Sequence, residues 1–176
     1  MGEREAAVAD QGGALLELYD RALPDVYGYT LRRCGDRSVA EDLTAEVFLA
    51  AVSAVRRGTV PGLTTAWLVT VARNKLVDHW RQAARLERTL HAVADSEVTA
   101  VDDDDWTDAL DEGSALAALR RLGSHHQAAL TLRYLDGLPV PQVAEHLGRT
   151  VHATEALLIR AKAAFRKVYR EEDDRG

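Results

Sequence analysis

An all-α chain of two small helical domains joined by an acidic linker is what three features of this 176-residue sequence predict. Alternating runs of β-branched residues are missing, while Ala, Leu, Arg and Glu dominate. Apolar residues recur at helical spacing between short breaks marked by Gly and Pro. A strip from 94 to 114 carries nine Asp or Glu and no Lys or Arg, so like-charge repulsion and scarce apolar surface make it a spacer. The expected organisation is therefore a domain over 1–93, a linker over 94–114 and a domain over 115–176.

The elements follow in order. A first helical stretch runs from about Ala14 to Ala22. Pro24 suits the first turn of a second helix, with Val26, Tyr27 and Leu31 on one face, ended by Gly35-Asp36. Ser38 and Glu41 have the spacing of a capping box, and Leu43, Val47, Phe48, Ala51 and Val55 then form one apolar stripe. The run Gly58-Thr-Val-Pro61-Gly62 breaks that helix. A long helix follows from about Thr64 to Leu90, carrying Trp67, Leu68, Val71, Leu76 and Trp80, the two tryptophans being expected in the core. Beyond the acidic strip, short helices are expected over Ala115–Leu122 and His125–Leu135. Pro139 and Pro141 start another, whose Val143, Ala144 and Leu147 face inward. Gly148 permits a left-handed turn, and Thr150 caps a last helix to about Tyr169. Two short helices around a Gly-containing turn form a helix-turn-helix, the second helix carrying Arg160, Lys162, Arg166, Lys167 and Arg170.

The net charge is −6, which taken alone disfavours a nucleic-acid partner. Its distribution reverses that inference. Residues 52–93 hold seven basic and two acidic side chains, and residues 115–170 hold nine and three. Polyanion binding depends on such local clusters rather than on the total. Arginine outnumbers lysine by 19 to 3.

Three segments carry a family resemblance. Ala40-Glu-Asp-Leu-Thr-Ala-Glu-Val-Phe-Leu-Ala-Ala resembles the polymerase-docking helix of bacterial RNA polymerase sigma factors. Thr65-Ala-Trp-Leu-Val-Thr-Val-Ala-Arg-Asn-Lys-Leu-Val-Asp-His-Trp-Arg81 is similar to the family's next helix, which handles the −10 promoter element. Leu132-Arg-Tyr-Leu-Asp-Gly-Leu138 with the helix-turn-helix resembles the −35-binding domain. Length, layout and linker are similar to those of the extracytoplasmic-function (ECF) class of the sigma-70 family, over residues 14 to 170.

The resemblance implies three sets of site residues. Glu41, Asp42 and Glu46 would dock on core RNA polymerase, at the coiled coil of its largest subunit (β′); Asp42 and Glu46, four apart, share a helix face. Arg56, Arg57, Arg73, Lys75 and Arg81 would neutralise phosphates near the −10 element, and Asn74, the only asparagine, can donate and accept at a base edge. The loop from Arg57 to Thr64 resembles the pocket for a flipped base, whose extraction costs roughly a few kcal/mol. Arg133, Glu155, Ala156, Ile159 and Arg160 would contact the −35 element, with Arg149, Thr150 and His152 near the phosphates. The sequence departs from the family at Glu155 and Leu157, where many relatives are basic. A carboxylate at 155 can accept from a cytosine amino group but repels phosphate, which points to a weaker intrinsic −35 affinity. The acidic linker would thread the polymerase cleft, and an anti-sigma factor is the expected regulator.

Other classes fit less well. The chain lacks a Gly-rich phosphate loop, and its histidines (79, 91, 125, 126, 146 and 152) show no metal-ligand spacing, so neither catalysis nor a cofactor is expected. Asp102 to Asp105 lack calcium-loop spacing. Cys34, the single cysteine, makes neither an internal disulfide nor a zinc site alone. No apolar run approaches a membrane span and the N-terminus lacks a secretory signal, so a cytoplasmic protein without membrane insertion is expected. A stand-alone helix-turn-helix regulator is the alternative; it would bind duplex DNA without polymerase.

Overall fold

The computed structural model describes residues 2–58, 63–90 and 111–173, with side chains over 13–58, 63–89 and 111–171. Every regular element among them is helical: α1 (Gly2–Cys34), α2 (Arg37–Arg57), α3 (Thr65–Leu90), α4 (Glu112–Arg120), α5 (Ser124–Leu130), α6 (Val140–Leu147) and α7 (Val151–Asp173). A π-helical turn, Thr131–Leu135, continues α5. The chain divides into two compact units, Met1–Leu76 and Val77–Gly176, the division falling inside α3. The last four residues of the strip expected as a linker cap and open α4; residues 94–110, Asp102 to Asp105 included, lie outside the described ones.

In the first unit, α1 packs along α2. Leu18, Ala22 and Val26 of α1 meet Val47, Phe48 and Ala51 of α2 and Leu68 and Ala72 of α3 in one buried cluster. Tyr19 sets its ring edge-on to Phe48, with centroids 4.6 Å apart. Thr30, fully buried, bonds to the Val26 and Tyr27 carbonyls and, at 3.3 Å, to the Thr44 hydroxyl across the helix pair. These bonds satisfy a hydroxyl that would otherwise be costly to bury.

Two sequence expectations are corrected here. The first helix does not break before Pro24, which sits inside α1. Proline forfeits one intrahelical bond, but Ala22 and Val26 on either side are both fully buried in the core, and that packing carries the helix through. The start of α2 is not a Ser38–Glu41 box. Asp36 is the N-cap, its Oδ1 accepting from the Val39 N–H at 3.0 Å, and Glu41 instead takes the Arg37 guanidinium at 2.8 Å. Hydrogen bonding to Glu41 holds the Arg37 pKa above its ordinary value. Gly58 closes α2 at φ 63°, a conformation that suits glycine. Leu43, Val47, Phe48 and Ala51 of the predicted stripe are buried; Val55 is half-buried while Ala54 goes inside.

In the second unit, α4, α5 and α7 enclose Leu119, Leu122, Leu130, Leu157, Leu158 and Phe165. Phe165 stacks on Tyr169 at 5.8 Å. Asp111 caps α4, accepting from the Ser114 N–H and hydroxyl at 2.9 and 3.0 Å, and these bonds draw its pKa below the usual carboxylate value. The Glu87 carboxylate of α3 receives the Ser124 hydroxyl at 2.6 Å and serves the otherwise open start of α5. Pro139 precedes α6, Gly148 ends it at φ 64°, and the Thr150 hydroxyl accepts from the Ala153 N–H at 3.1 Å, as the helix-turn-helix requires.

Candidate polymerase and nucleic-acid surfaces

The polymerase-facing candidates lie on the outer side of α2. Leu43 and Val47 turn inward, which leaves Glu41, Asp42 and Glu46 exposed. Beside them runs an apolar groove between α1 and α2, lined by Leu15, Leu16, Tyr19, Phe48 and Leu49 and reaching Glu41. Leu16 is 68% and Leu49 65% exposed. Of the apolar lining residues the sequence pattern singles out Phe48, and it misses Leu15, Leu16, Tyr19 and Leu49. Their signal is an apolar residue just off the core stripe: Leu49 directly follows Phe48.

The −10 candidates follow the end of α2 and the length of α3. Arg56 and Arg57 are exposed in the last turn of α2. On α3, Thr64 caps the start by accepting from the Trp67 N–H, at 3.1 Å. Leu68, Ala72 and Leu76 take the buried face. Asn74 is exposed, Arg73 half-buried, and Lys75 pairs with Glu46 of α2 at 2.9 Å. The structure thus joins a polymerase-docking candidate to a −10 candidate. Trp80 is 3% exposed and Trp67 packs against the core cluster, as expected. Arg81 is exposed, 3.9 Å from Asp78. Residues 59–62 of the expected flipped-base loop lie outside the described residues.

The −35 candidates cluster around α7. Val151, His152, Glu155, Ala156 and Ile159 are exposed at spacings of three to four residues, which sets them on one face of the helix N-terminal half. His152 and Glu155 approach to 3.9 Å. Thr150 and Arg149 are exposed at the turn, and Arg160 is half-buried. Arg133, half-buried, donates from Nη1 to the Leu138 carbonyl at 3.3 Å, so it also holds the turn before α6. Leu157 is 1% exposed, inside the core. Its departure from the family pattern therefore serves packing. His125 of α5 is held below the ordinary histidine pKa by burial and then by Arg149.

Among the described residues no helix is long and apolar enough to cross a membrane. Nor does any group of three His, Cys, Asp or Glu side chains there suit a metal ion.

Residues 18–86 match the Sigma-70 region 2 family and residues 113–165 match Sigma-70 region 4. The chain is 30% identical to ECF RNA polymerase sigma factor SigL of Mycobacterium tuberculosis over 97% of both chains. The chain belongs to the ECF RNA polymerase sigma factors. It is 38% identical to the ECF sigma factor BldN of Streptomyces coelicolor over 89% of its own length, an alignment that spans 61% of BldN. The solved structure of the sigma factor RpoE with the anti-sigma factor NepR from Bartonella quintana is similar in fold, at 20% identity and a TM-score of 0.51, covering 86% of this chain and 94% of that one. Sigma factors recognise promoters in transcription initiation and are not catalysts, so the reading as a stand-alone regulator is set aside.

Proposed function

We propose that this ECF sigma factor docks on core RNA polymerase through α2, melts and reads the −10 element along α3, and reads the −35 element with α7 in the major groove. The observation that carries this reading is the exposed face of α7 after the Gly148 turn, which offers Glu155, Ala156 and Ile159 in the N-terminal half of the helix, the part by which a recognition helix reads base edges. Asp42 and Glu46 beside the α1–α2 groove suit a basic amphipathic partner helix, for which the largest polymerase subunit's coiled coil is the candidate. Asn74, exposed on α3, offers an amide to a base edge, with Arg56, Arg57, Arg73, Lys75 and Arg81 supplying phosphate contacts. The functional division runs over 1–93, 94–114 and 115–176, with the acidic strip as tether. The protein works in the cytoplasm without catalysis or cofactor of its own, and an anti-sigma factor holds it inactive until needed.

Reconstitution with core polymerase and run-off transcription from a promoter library tests the reading. Asn74→Ala should lower run-off product at least tenfold while −35 duplex binding changes less than twofold. Equal losses in both assays, or no transcript from any promoter, would overturn the assignment.

A further inference from the structure

The second compact unit contains a cavity of about 580 Å³ with five arginines in its wall. Arg81, Arg85 and Arg88 enter from α3, Arg149 from the turn before α7, and Arg160 from α7. Trp80 and Leu157, both buried, give it an apolar floor. The Arg81 guanidinium lies so close over Gly148 that a Cβ there would stand 3.2 Å from Nη2.

Charge compensation is thin at Arg81, Arg85, Arg88 and Arg149 of this wall. Asp78 lies 3.9 Å from Arg81, and the Glu87 carboxylate is already engaged by the Ser124 hydroxyl and N–H. Among the described residues, no carboxylate forms an ion pair with Arg85, Arg88 or Arg149. Five guanidiniums around one concavity with a partly apolar wall focus a positive potential inside it. At the wall, burial first and then Arg149, Arg160 and Arg88, against Glu87, disfavour the proton of His125.

We propose that this cavity binds a small polyphosphorylated anion. Planar guanidiniums match phosphate oxygens in paired hydrogen bonds. Pockets of roughly 300–1,000 Å³ suit small molecules, so the volume admits a nucleotide-sized ligand and not a duplex. A base or sugar can lie against Leu147, half-buried in the same wall, while phosphates meet the arginines. Arg81, Arg149 and Arg160 are also candidate promoter contacts, so an occupied cavity withholds them from DNA. That consequence rests on the proposed function; the binding itself does not.

The test uses the full chain, with sodium tripolyphosphate and GTP as probes, sulfate as the simple-anion control, and calorimetry at constant ionic strength. Tripolyphosphate should bind saturably and sulfate at least tenfold more weakly. Arg85→Gln with Arg88→Gln, neither a proposed promoter contact, should weaken tripolyphosphate at least tenfold with circular dichroism unchanged. Arg120→Gln with Arg121→Gln, an equal charge loss at the C-terminal end of α4 outside the cavity, should change it less than twofold. GTP tighter than tripolyphosphate marks a nucleotide ligand, and the reverse marks an inorganic chain; both support the site. Equal weakening by the two double variants, or no saturable binding, overturns it. So does an outcome in which only duplex DNA binds and its affinity falls in the Arg85/Arg88 variant. Tripolyphosphate that binds without displacing a −35 duplex leaves the site standing and refutes instead the promoter role of Arg149 and Arg160.

Discussion

Glu46 has two candidate duties, and charge reversal separates them. Its carboxylate holds Lys75 at 2.9 Å, with side-chain exposures of 51% and 36%. Solvent screens a pair this exposed, so breaking it costs about 0.2–1 kcal/mol. In a chain of this length that lowers the melting temperature by about 1–4 °C. Glu46→Lys should therefore leave the fold intact. Opposite a basic polymerase helix, however, the same reversal replaces an attraction by a repulsion, and a loss of about 1.4 kcal/mol or more is a tenfold or greater fall in affinity. The decisive variant combines Glu46→Lys with Lys75→Glu. It re-forms an ion pair of inverted polarity, so melting should return to within about 1 °C of the parent while binding to core polymerase, measured by fluorescence anisotropy, stays at least tenfold weak. Recovery of binding in the double variant would show that the ion pair suffices in either polarity, and the docking role of the Glu46 charge would fall.

Three further outcomes are expected. Asp36→Ala should cost about 1 kcal/mol in urea unfolding because it removes the α2 cap, whereas Ser38→Ala should stay near zero. Leu157→Ala, deep in the second core, should cost about 2–5 kcal/mol, while Ile159→Ala, 37% exposed, should leave urea unfolding nearly unchanged and weaken −35 duplex binding. The folded pKa of His125 lies below its ordinary value under the combined action of burial, Arg149, Arg160 and Arg88 against Glu87. Its stability contribution is therefore full above about pH 6.5 and is lost as pH falls through that folded value, so the stability advantage of the parent over His125→Gln, read from urea midpoints, should shrink between pH 7.5 and 5.5.

Helical periodicity made most of the fold legible. Leu43, Val47, Phe48 and Ala51 could be placed inside from spacing alone, and Gly148 and Thr150 marked the turn and cap of the helix-turn-helix. Local chemistry that fits two registers was not decidable. Ser38 and Glu41 have capping-box spacing, but Asp36 also stands three residues before a free amide, and Arg37 four before Glu41 removes the competing acceptor. Pro24 resembles a helix start in any window that lacks its tertiary partners. The π-helical turn at Thr131 left no mark in the sequence, and neither did its buried hydroxyl, which has no hydrogen-bond partner among the described residues. Site residues were legible as types on faces. Their pairings were not, because Glu46 with Lys75 and Glu87 with Ser124 join residues 29 and 37 positions apart.

The clustering of arginine bears on how the two proposed ligands interact. A promoter phosphate and a soluble polyphosphate present the same oxygens to Arg81, Arg149 and Arg160, so substituting any of these weakens both and distinguishes nothing. Arg85 and Arg88 line the cavity but stand outside the proposed promoter contacts, which makes them the pair that can uncouple the two. If the ligands compete, linkage is reciprocal: the factor by which polyphosphate lowers affinity for the −35 duplex must equal the factor by which the duplex lowers affinity for polyphosphate. An Arg85/Arg88 variant should then keep its intrinsic promoter affinity and lose only the inhibition. Inhibition that survives in that variant would have to come from general screening of phosphate contacts, which rises steadily with ionic strength and does not saturate at a single site.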